Sequence, residues 1–539
     1  MSISGSLFLA QTGDASGAVM TPFLYGVAIL AVVMLLWDTV EVGRNDAANI
    51  VNAVFGSRIL SREWAVRIAG LGVILGAYLS SDVIETARRG IFTPGAFTLA
   101  QVLAVYVSVY LVDTILLYSY SAFGMPVSTT MTLVFELLGA SLFLGYLRGS
   151  DPVSAVCWGK AGTVILGIVC SILLSGVMGF FLQRAARGAI RDKWSSLPAL
   201  LLHGGWVGGG LMAGLCYFMM VKGMKNVGFV KSLTSRVLSD PSGPFIAIVV
   251  LWVFFAIIIH FSLVVYRKRA ATKLFPVLTV FGMVAMAFAF GQNDLANCAS
   301  PGLAAVALIR GHLEGLTVTD VTEVPIAPWQ LLLCGVLLTG GMMSKNAQRV
   351  TQAAVRTGSA GDRVQLWAPQ WCIALASALL RKQPAQRSLA PVITRDAGGK
   401  TLHYDPLRGC VIVCVSASVI ATASALGLPV STTYVAFAAI VATGMADRIF
   451  ARGDAALKMG RAIWVVFSWF AAAVIASIGA GLVCLAIYHI GLIGMVVCVA
   501  GNLFLRRYIK RRADIQEESV RREAEERMHP EEFALEDER

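Results

Sequence analysis

Residues 126–130 of this chain read Pro-Val-Ser-Thr-Thr, and residues 429–433 read the same. Each string follows a Gly-x pair and lies between two apolar stretches. This order predicts the start of a helix, because Pro lacks the amide proton that a first turn leaves unpaired and the hydroxyl groups can cap that turn. Inside a membrane protein, the free N–H groups, the positive end of the helix dipole and three hydroxyls would suit an oxyanion. An ordinary Ser/Thr cap is the alternative for one string alone, whereas the duplication and a second repeated motif favour an anion site.

The composition is that of a membrane protein. The chain has 539 residues, of which 57% are hydrophobic and 14% are charged, whereas a soluble protein carries about 25% charged residues. Roughly ten to twelve apolar stretches are long enough to span a hydrocarbon core. No basic segment precedes the short apolar run near the N-terminus, so we expect no cleaved signal peptide. The sequence predicts an all-α, polytopic integral membrane protein. We expect it to lie in the lipid bilayer of the cell membrane, either a plasma membrane or an inner membrane.

The charge and the cysteines exclude several other classes of protein. The net charge of +12 lies mostly in loops between apolar stretches, which is typical of the positive-inside rule rather than of nucleic-acid binding. The ten cysteines are mostly single residues in apolar segments, and the six histidines are dispersed. Neither pattern has the spacing of a zinc site or a disulfide framework. With no nucleotide loop, metal cluster or nucleophile triad in view, we expect neither an enzyme nor a bound cofactor.

A second motif is also repeated. Residues 43–49 read Gly-Arg-Asn-Asp-Ala-Ala-Asn, and residues 291–297 read Gly-Gln-Asn-Asp-Leu-Ala-Asn. The first copy, with Asp38 and Glu41 before it, directly follows an apolar helix predicted over residues 21–37. A continuous helix would carry these acids into lipid, at on the order of 3 kcal/mol per charge. We therefore expect the helix to break or re-enter there and to line a cavity.

The two motifs occur in the same order in both halves of the chain, which is typical of a transporter built from two related halves. We predict two inverted repeats, each with a broken or re-entrant helix pair. The predicted organisation is a first transmembrane repeat (1–199), connecting transmembrane helices (200–273), the first part of the second repeat (274–344), a soluble insertion (345–406), the last part of the second repeat (407–505) and a charged C-terminal tail (506–539).

The Asn-Asp motif predicts a cation site. In a helix, Asn49 shares a face with Asn45 and with Asp46, because these residues are four and three positions away. A carboxylate with amide carbonyls is a hard oxygen set that suits Na⁺, or else an acid that takes up a proton. Helix capping and hydrogen bonding between helices are the alternative. The predicted cation-coupling residues are Asn45, Asp46, Asn49, Asn293, Asp294 and Asn297, with Asp46 and Asp294 as the metal ligands if the ion is Na⁺.

Together, the paired motifs resemble those of the inorganic phosphate transporter family called PiT. Residues 82–91 also resemble the family's Thr-Asp-Thr-Ile-Arg-Lys-Gly-Ile segment, and the resemblance spans most of residues 22–490. It implies an inverted-repeat fold and symport of phosphate with Na⁺ or H⁺. By motif match it implies that Asn45, Asp46, Asn293 and Asp294 hold the coupling ion. It further implies that the phosphate-binding residues are Ser128, Thr129, Thr130, Ser431, Thr432 and Thr433.

Several positions depart from the pattern of that family. Arg44 and Gln292 stand where the family usually has Ala, and we consider both as anion contacts. A guanidinium at the cavity would be a bidentate donor for a tetrahedral anion. The alternative is that Arg44 pairs with Glu41, in which case Arg44→Ala should reduce folded protein and Glu41→Gln should restore it. The further departures are Met131 and Tyr434, which replace a His, Val73, which replaces a Glu, and Glu136, which precedes a Leu-Gly-Ala.

Three functions remain open from the sequence. The first is symport of inorganic phosphate with a cation. The second is an oxyanion permease of the same fold that moves sulfate, and the third is a membrane sensor without transport. Phosphate near neutral pH still carries a proton that it can donate to a carboxylate, so an acid near the anion favours phosphate. A sensor would not need two intact half-sites. A monomer and a homodimer both remain open.

Overall fold

The chain folds into a bundle of helices. The computed structural model describes residues 21–80, 91–92, 96–147, 152–224, 228–238, 240–320, 327–361, 364–381, 402–451 and 453–528. Within those ranges there is no β-strand, only one isolated bridge between Phe92 and Val156. The all-α class predicted from the sequence is therefore confirmed. The N-terminal lead (1–20), residues 82–90 of the family-like segment and the last acidic residues (529–539) lie outside the described residues.

The helices have clear bounds along the chain. In the described ranges they are α1 (Pro22–Gly56), α2 (Arg62–Tyr78), α3 (Leu99–Ala122), α4 (Thr129–Leu147), α5 (Trp158–Ile190), α6 (Leu197–Tyr217), α7 (Gly228–Leu238), α8 (Gly243–Leu313), α9 (Pro328–Met342), α10 (Lys345–Thr357), α11 (Gln370–Arg381), α12 (Pro406–Ala425), α13 (Thr432–Ala446), α14 (Ala455–Ile490) and α15 (Leu492–Met528).

Many of these helices have the length and composition of membrane spans. In the described part of the chain, nine helices are long and apolar enough to cross a membrane, and three shorter ones are also apolar. The longest, α8, has 71 residues but is interrupted at Arg267, whose φ of 46° is not helical. It therefore supplies two consecutive apolar helices, one on each side of Arg267. These features support the predicted polytopic membrane protein.

The prediction that the first helix breaks after residue 37 is wrong. The helix α1 runs without interruption from Pro22 to Gly56 and carries Asp38, Glu41 and the whole first Asn-Asp motif inside it. The second motif likewise lies within α8. The helix can continue because its acids are buried among protein groups and not in lipid: Asp38 and Glu41 are at most 1% exposed. The interruptions lie instead at the two Pro-Val-Ser-Thr-Thr strings, between α3 and α4 and between α12 and α13.

The glycine that begins each Asn-Asp motif allows a close helix crossing. A Cβ at Gly43 would collide with the backbone carbonyl of Leu338 on α9, and a Cβ at Gly291 would collide with that of Val73 on α2. Close backbone approach through small residues is a common way to pack membrane helices. The glycines therefore fix the positions of α1 and α8, and with them the Asn-Asp groups that follow.

The predicted soluble insertion is partly described. Its first helix, α10, packs against α1, and its second, α11, packs against α14 with the Trp371 ring 5.3 Å from the Phe467 ring. Residues 382–401 lie outside the described residues, so a soluble insertion over 345–406 stays a prediction. The predicted tail boundary falls inside α15. There Arg506 is only 9% exposed, because its guanidinium stacks on the rings of Trp37 and Tyr118.

Candidate functional site

Both strings form helix starts, as the sequence predicts. The hydroxyl of Ser128 accepts a hydrogen bond from the Met131 amide at 3.0 Å, and that of Ser431 accepts one from the Tyr434 amide at 3.1 Å. Each preceding helix ends near a glycine with positive φ, 64° at Gly124 and 66° at Gly427. Glycine is the residue that adopts this conformation at a helix end without strain. The local sequence thus specifies both the stop and the restart.

The two strings meet, although they are far apart in the chain. The Thr130 hydroxyl donates to the backbone carbonyl of Val430 at 3.0 Å, and the Thr433 hydroxyl donates to that of Val127 at 3.2 Å. The six predicted phosphate-binding residues are each no more than 2% exposed. The N-termini of α4 and α13 therefore face one buried region, where two positive helix ends add together.

An asparagine holds each string against its own half of the molecule. The Asn45 amide donates to the Val127 carbonyl at 2.6 Å, and its oxygen accepts from the Val127 N–H at 3.4 Å. Asn293 does the same with Val430, at 2.7 and 3.3 Å. The first asparagine of each motif is thus a two-point clamp on the backbone, which leaves little of its amide for a cation.

The aspartates reach across to the opposite half. One carboxylate oxygen of Asp46, Oδ1, accepts from the Thr433 hydroxyl at 2.8 Å and from the Asn49 amide at 2.9 Å. The matching oxygen of Asp294 accepts from the Thr129 hydroxyl at 3.0 Å and from the Asn297 amide at 3.0 Å. Each acid is therefore bonded to a threonine of the other repeat, so the two half-sites are interlocked.

The other carboxylate oxygen of each aspartate has no hydrogen-bond partner. Oδ2 of Asp46 and Oδ2 of Asp294 are buried and unbonded, as is Oδ1 of Asn297. The two carboxylates are close enough for their charges to repel each other, and neither forms an ion pair within the described ranges. Buried charge of this kind requires a partner. The oxygens of Asp46, Asp294 and Asn297 are hard donors that fit Na⁺, and the carboxylates also fit a proton.

Several of the predicted anion ligands are already committed within the protein. The hydroxyls of Thr129, Thr130 and Thr433 donate to a carboxylate or a carbonyl. The hydroxyl of Thr432 is buried beside the Asp294 carboxylate but forms no hydrogen bond of normal geometry. The site therefore divides into two sets of three hydroxyls. Those of Thr129, Thr130 and Thr433 bind an aspartate or a backbone carbonyl, and those of Ser128, Ser431 and Thr432 lie at the two helix starts.

Of the two alternatives for Arg44, the structure contains the ion pair. Its Nη1 lies 2.7 Å from Oε2 of the fully buried Glu41. Glu41 Oε1 also accepts from Arg506 Nη1 at 2.6 Å. Gln292 is buried, and its backbone carbonyl accepts from the Ser80 hydroxyl at 2.8 Å. Anion contact by the Gln292 side chain stays a prediction.

Because Glu41 has two arginine partners, Arg44→Ala is expected to lower the free energy of unfolding by no more than about 1 kcal/mol, the range of a partly exposed ion pair. The apparent affinity for phosphate should change less than about twofold, since ~0.4 kcal/mol corresponds to that factor. Thermal unfolding of the purified protein and phosphate uptake would measure both quantities. A well-folded Arg44→Ala with at least tenfold weaker phosphate affinity would place Arg44 at the anion after all. The expected rescue by Glu41→Gln no longer holds, because that change would leave Arg506 unpaired.

Sequence reasoning missed two kinds of contributor. The Val127 and Val430 carbonyls take part through the backbone, and the only signal for them is that the same residue occupies the second place of both strings. Arg506 joins Glu41 from the other end of the chain. A single arginine after an apolar stretch looks like the beginning of a basic loop, so no local signal identifies its partner.

Known proteins resemble this chain over most of its length. The model of a family described as "Phosphate transporter family" matches residues 42–356 and 388–480. A relative from Thermococcus kodakarensis, with the name "Putative phosphate permease", is 26% identical over 487 residues, which cover 86% of this chain and 97% of the relative. A relative of the same name from Haemophilus influenzae is 25% identical, over 79% of this chain and 89% of its own length. A solved structure titled "The sodium-dependent phosphate transporter" matches with a TM-score of 0.61 and 20% identity, over 85% of this chain and 98% of that one.

Proposed function

The chain belongs to the phosphate transporter family, and we propose that it is a secondary active transporter that carries inorganic phosphate in symport with Na⁺ or H⁺. It is an integral membrane protein of the cell membrane and a transporter, not an enzyme. The symport and the identity of the coupling ion are the proposed part. The solved relative is titled as sodium-dependent, and its name supports Na⁺ as one of the two ions.

One observation carries the proposal. Two buried aspartates, each with a free carboxylate oxygen, lie beside the two helix starts that suit an anion. Without a cation, the charges of Asp46 and Asp294 would repel a phosphate that approaches the helix N-termini. With a cation or a proton on the aspartates, the same region is favourable to an anion. Binding of the cation and binding of phosphate are therefore expected to help each other, which is the requirement for symport.

The crossed threonines supply a mechanical link between the two ligands. Thr129 begins α4 and is bonded to Asp294, and Thr433 lies in the first turn of α13 and is bonded to Asp46. A change at either aspartate therefore moves the start of the helix that belongs to the other repeat. We assign the anion itself to the N–H groups of both helix starts and to the hydroxyls of Ser128, Ser431 and Thr432. The threonines Thr129, Thr130 and Thr433 would position that anion indirectly.

The carboxylate oxygens of the two aspartates also bear on the alternative function, an oxyanion permease that moves sulfate. A phosphate that carries a proton can donate a hydrogen bond to an oxygen of Asp46 or Asp294 that the cation leaves unoccupied, whereas sulfate at neutral pH has no proton to give. A buried site with unpaired acceptors rejects an anion that cannot donate to them, by factors that reach ~10⁴ in well-built sites. The free carboxylate oxygens therefore support phosphate over sulfate.

Uptake by proteoliposomes tests the function. We expect labelled phosphate to accumulate against its gradient when either a Na⁺ gradient or a pH gradient is imposed, and labelled sulfate to accumulate at least about 100-fold more slowly, the discrimination expected from one or two lost hydrogen bonds. Protein-free vesicles are the control. Equal uptake of both anions would support the oxyanion permease, and binding of phosphate without uptake under any gradient would support the sensor.

A further inference from the structure

Three acids form a second buried group, which the proposed phosphate site does not use. Asp38 on α1, Asp113 on α3 and Glu136 on α4 are 1%, 5% and 0% exposed. We call these three residues the acid cluster. Because burial of an acid without a partner is costly, their presence at the junction of three helices needs a physical explanation.

The first pair in the acid cluster needs a proton. The carboxyl groups of Asp38 and Asp113 lie within hydrogen-bond distance of each other. A carboxylate accepts hydrogen bonds and cannot donate them, so two carboxyl groups bond to each other only when one of them is protonated. The Thr132 hydroxyl donates to Oδ1 of Asp113 at 2.7 Å, which stabilises this oxygen as an acceptor. The shared proton therefore lies on the side of Asp38.

The surroundings of Glu136 give independent evidence that the acid cluster binds a positively charged species. Both of its carboxylate oxygens are buried and have no hydrogen-bond partner, and one oxygen of Asp38 is in the same state. In the described part of the chain, the groups that act electrostatically on Glu136 are Asp113 and Asp38, both acids. An ionised Glu136 would thus have neither a hydrogen bond nor a positive neighbour. It is stable there only when a positively charged species has bound to it.

The charged surroundings meet this requirement only in part. Glu41, also on α1, lies close to Asp38 and Asp113, and it pairs with both Arg44 and Arg506. One glutamate and two arginines leave one surplus positive charge, which acts on Asp38 through Arg506 on α15 and offsets at most one of the three acids. The remaining titratable groups that face Asp38 are Tyr110 on α3 and Cys298 on α8. The Tyr110 hydroxyl is already committed, since it donates to the Cys298 carbonyl at 2.7 Å and accepts from the Gly302 N–H at 2.8 Å.

The acid cluster exists in only one half of the molecule. When the second half is aligned by its Asn-Asp motif and its Pro-Val-Ser-Thr-Thr string, the matching positions are Met286, Ser416 and Ala439. The fold of a repeat therefore does not require acids at these places. The interlocked aspartates described above occur in both halves, so the acid cluster is a separate feature of the first half.

We propose that Asp38, Asp113 and Glu136 form a proton-binding site that couples phosphate transport to H⁺, an inference that rests on the proposed transport function. A proton enters by bonding to a carboxylate oxygen of the cluster and leaves from the same oxygen. A proton fits the acid cluster better than a metal ion, because the carboxyl groups of Asp38 and Asp113 can bond to each other only when one of them is protonated.

The helix α4 connects this site to the anion. Its first residue, Thr129, bonds to Asp294, and its Thr132 hydroxyl bonds both to Asp113 and to the Thr129 carbonyl. Glu136 lies one turn further along the same helix. A shift of the helix start on phosphate binding therefore changes the contacts of Asp113 and Glu136, so that protonation and phosphate binding favour the same position of α4.

Infrared spectroscopy tests for the proton without any transport. We expect purified wild-type protein at neutral pH to show the C=O stretch of protonated carboxyl groups, and Glu136→Gln to lose part of that band. Glu314→Gln, which changes an exposed acid, is the matched control and should leave the band unchanged. An identical band in the wild type and in Glu136→Gln would overturn the proposal, and it would do so even if the protein transports phosphate.

Flux measurements in proteoliposomes test the coupling. With no Na⁺ present, an internal pH dye should report proton entry with phosphate in the wild type and loss of that entry in Glu136→Gln and Asp113→Asn. Exchange of labelled phosphate across the membrane should stay within about twofold, or ~0.4 kcal/mol. If the variants exchange phosphate and still move protons, or if the wild type is driven by Na⁺ alone, the proton site is wrong and the transport function stands. If the wild type does not exchange phosphate, the proposed function itself has failed.

Discussion

Asp46→Asn is expected to abolish cation-driven phosphate uptake and to leave the protein folded. The amide oxygen of Asn can still accept the hydrogen bonds from Thr433 and Asn49, so the interlocked geometry is kept. What disappears is the negative charge and the free oxygen Oδ2, on which the cation would bind. We expect uptake to fall by at least about 100-fold, or ~2.7 kcal/mol, since each factor of ten corresponds to ~1.36 kcal/mol.

Asp294→Asn should have an effect of similar size, because Asp294 has the same contacts in the other half. Labelled phosphate uptake under an imposed Na⁺ or pH gradient measures the loss, and thermal unfolding checks the fold. Neither variant should be less stable than the wild type, because the substitution removes a buried charge. Asp320→Asn, in an exposed loop, is the control and should transport normally. Wild-type rates in Asp46→Asn or Asp294→Asn would show that these acids do not couple the cation.

Glu41→Gln is expected to produce the largest loss of stability. Glu41 is fully buried, and both of its oxygens bind guanidinium groups, from Arg44 at 2.7 Å and from Arg506 at 2.6 Å. Removal of one member of a buried ion pair leaves an uncompensated charge and costs about 3–5 kcal/mol. Of the two arginines left without a carboxylate, Arg506 contributes more to this cost, because its side chain is the more deeply buried.

The matched control for this prediction is Glu63→Gln, which removes the ion pair with Arg67 on the exposed side of α2. Such surface pairs contribute about 0–1 kcal/mol, so the control should unfold close to the wild type. Thermal unfolding in detergent and the yield of monodisperse protein would compare the two variants. If Glu41→Gln is as stable as Glu63→Gln, the three-residue network of Glu41, Arg44 and Arg506 does not stabilise the fold.

Local sequence determined the class of the protein and the positions of its helix starts. The lengths of the apolar stretches predicted a helical membrane protein, because a bilayer accepts only segments that satisfy their own backbone hydrogen bonds. The order Pro-Val-Ser-Thr-Thr predicted helices that begin at Thr129 and near Thr432, because cap hydroxyls and Pro act within one turn. The duplication of two motifs in one order predicted that two half-sites exist. These features depend on neighbours in the chain and can be read from it.

Only the tertiary structure decided how those half-sites are joined. Asp46 is bonded to Thr433 and Asp294 to Thr129, so each half completes the other. The expected break after residue 37 does not occur, because distant helices bury the acids of α1. Arg506 binds Glu41 from the far end of the chain. Such contacts depend on which helix faces which, and the pattern along one helix contains no information on the identity of its partners.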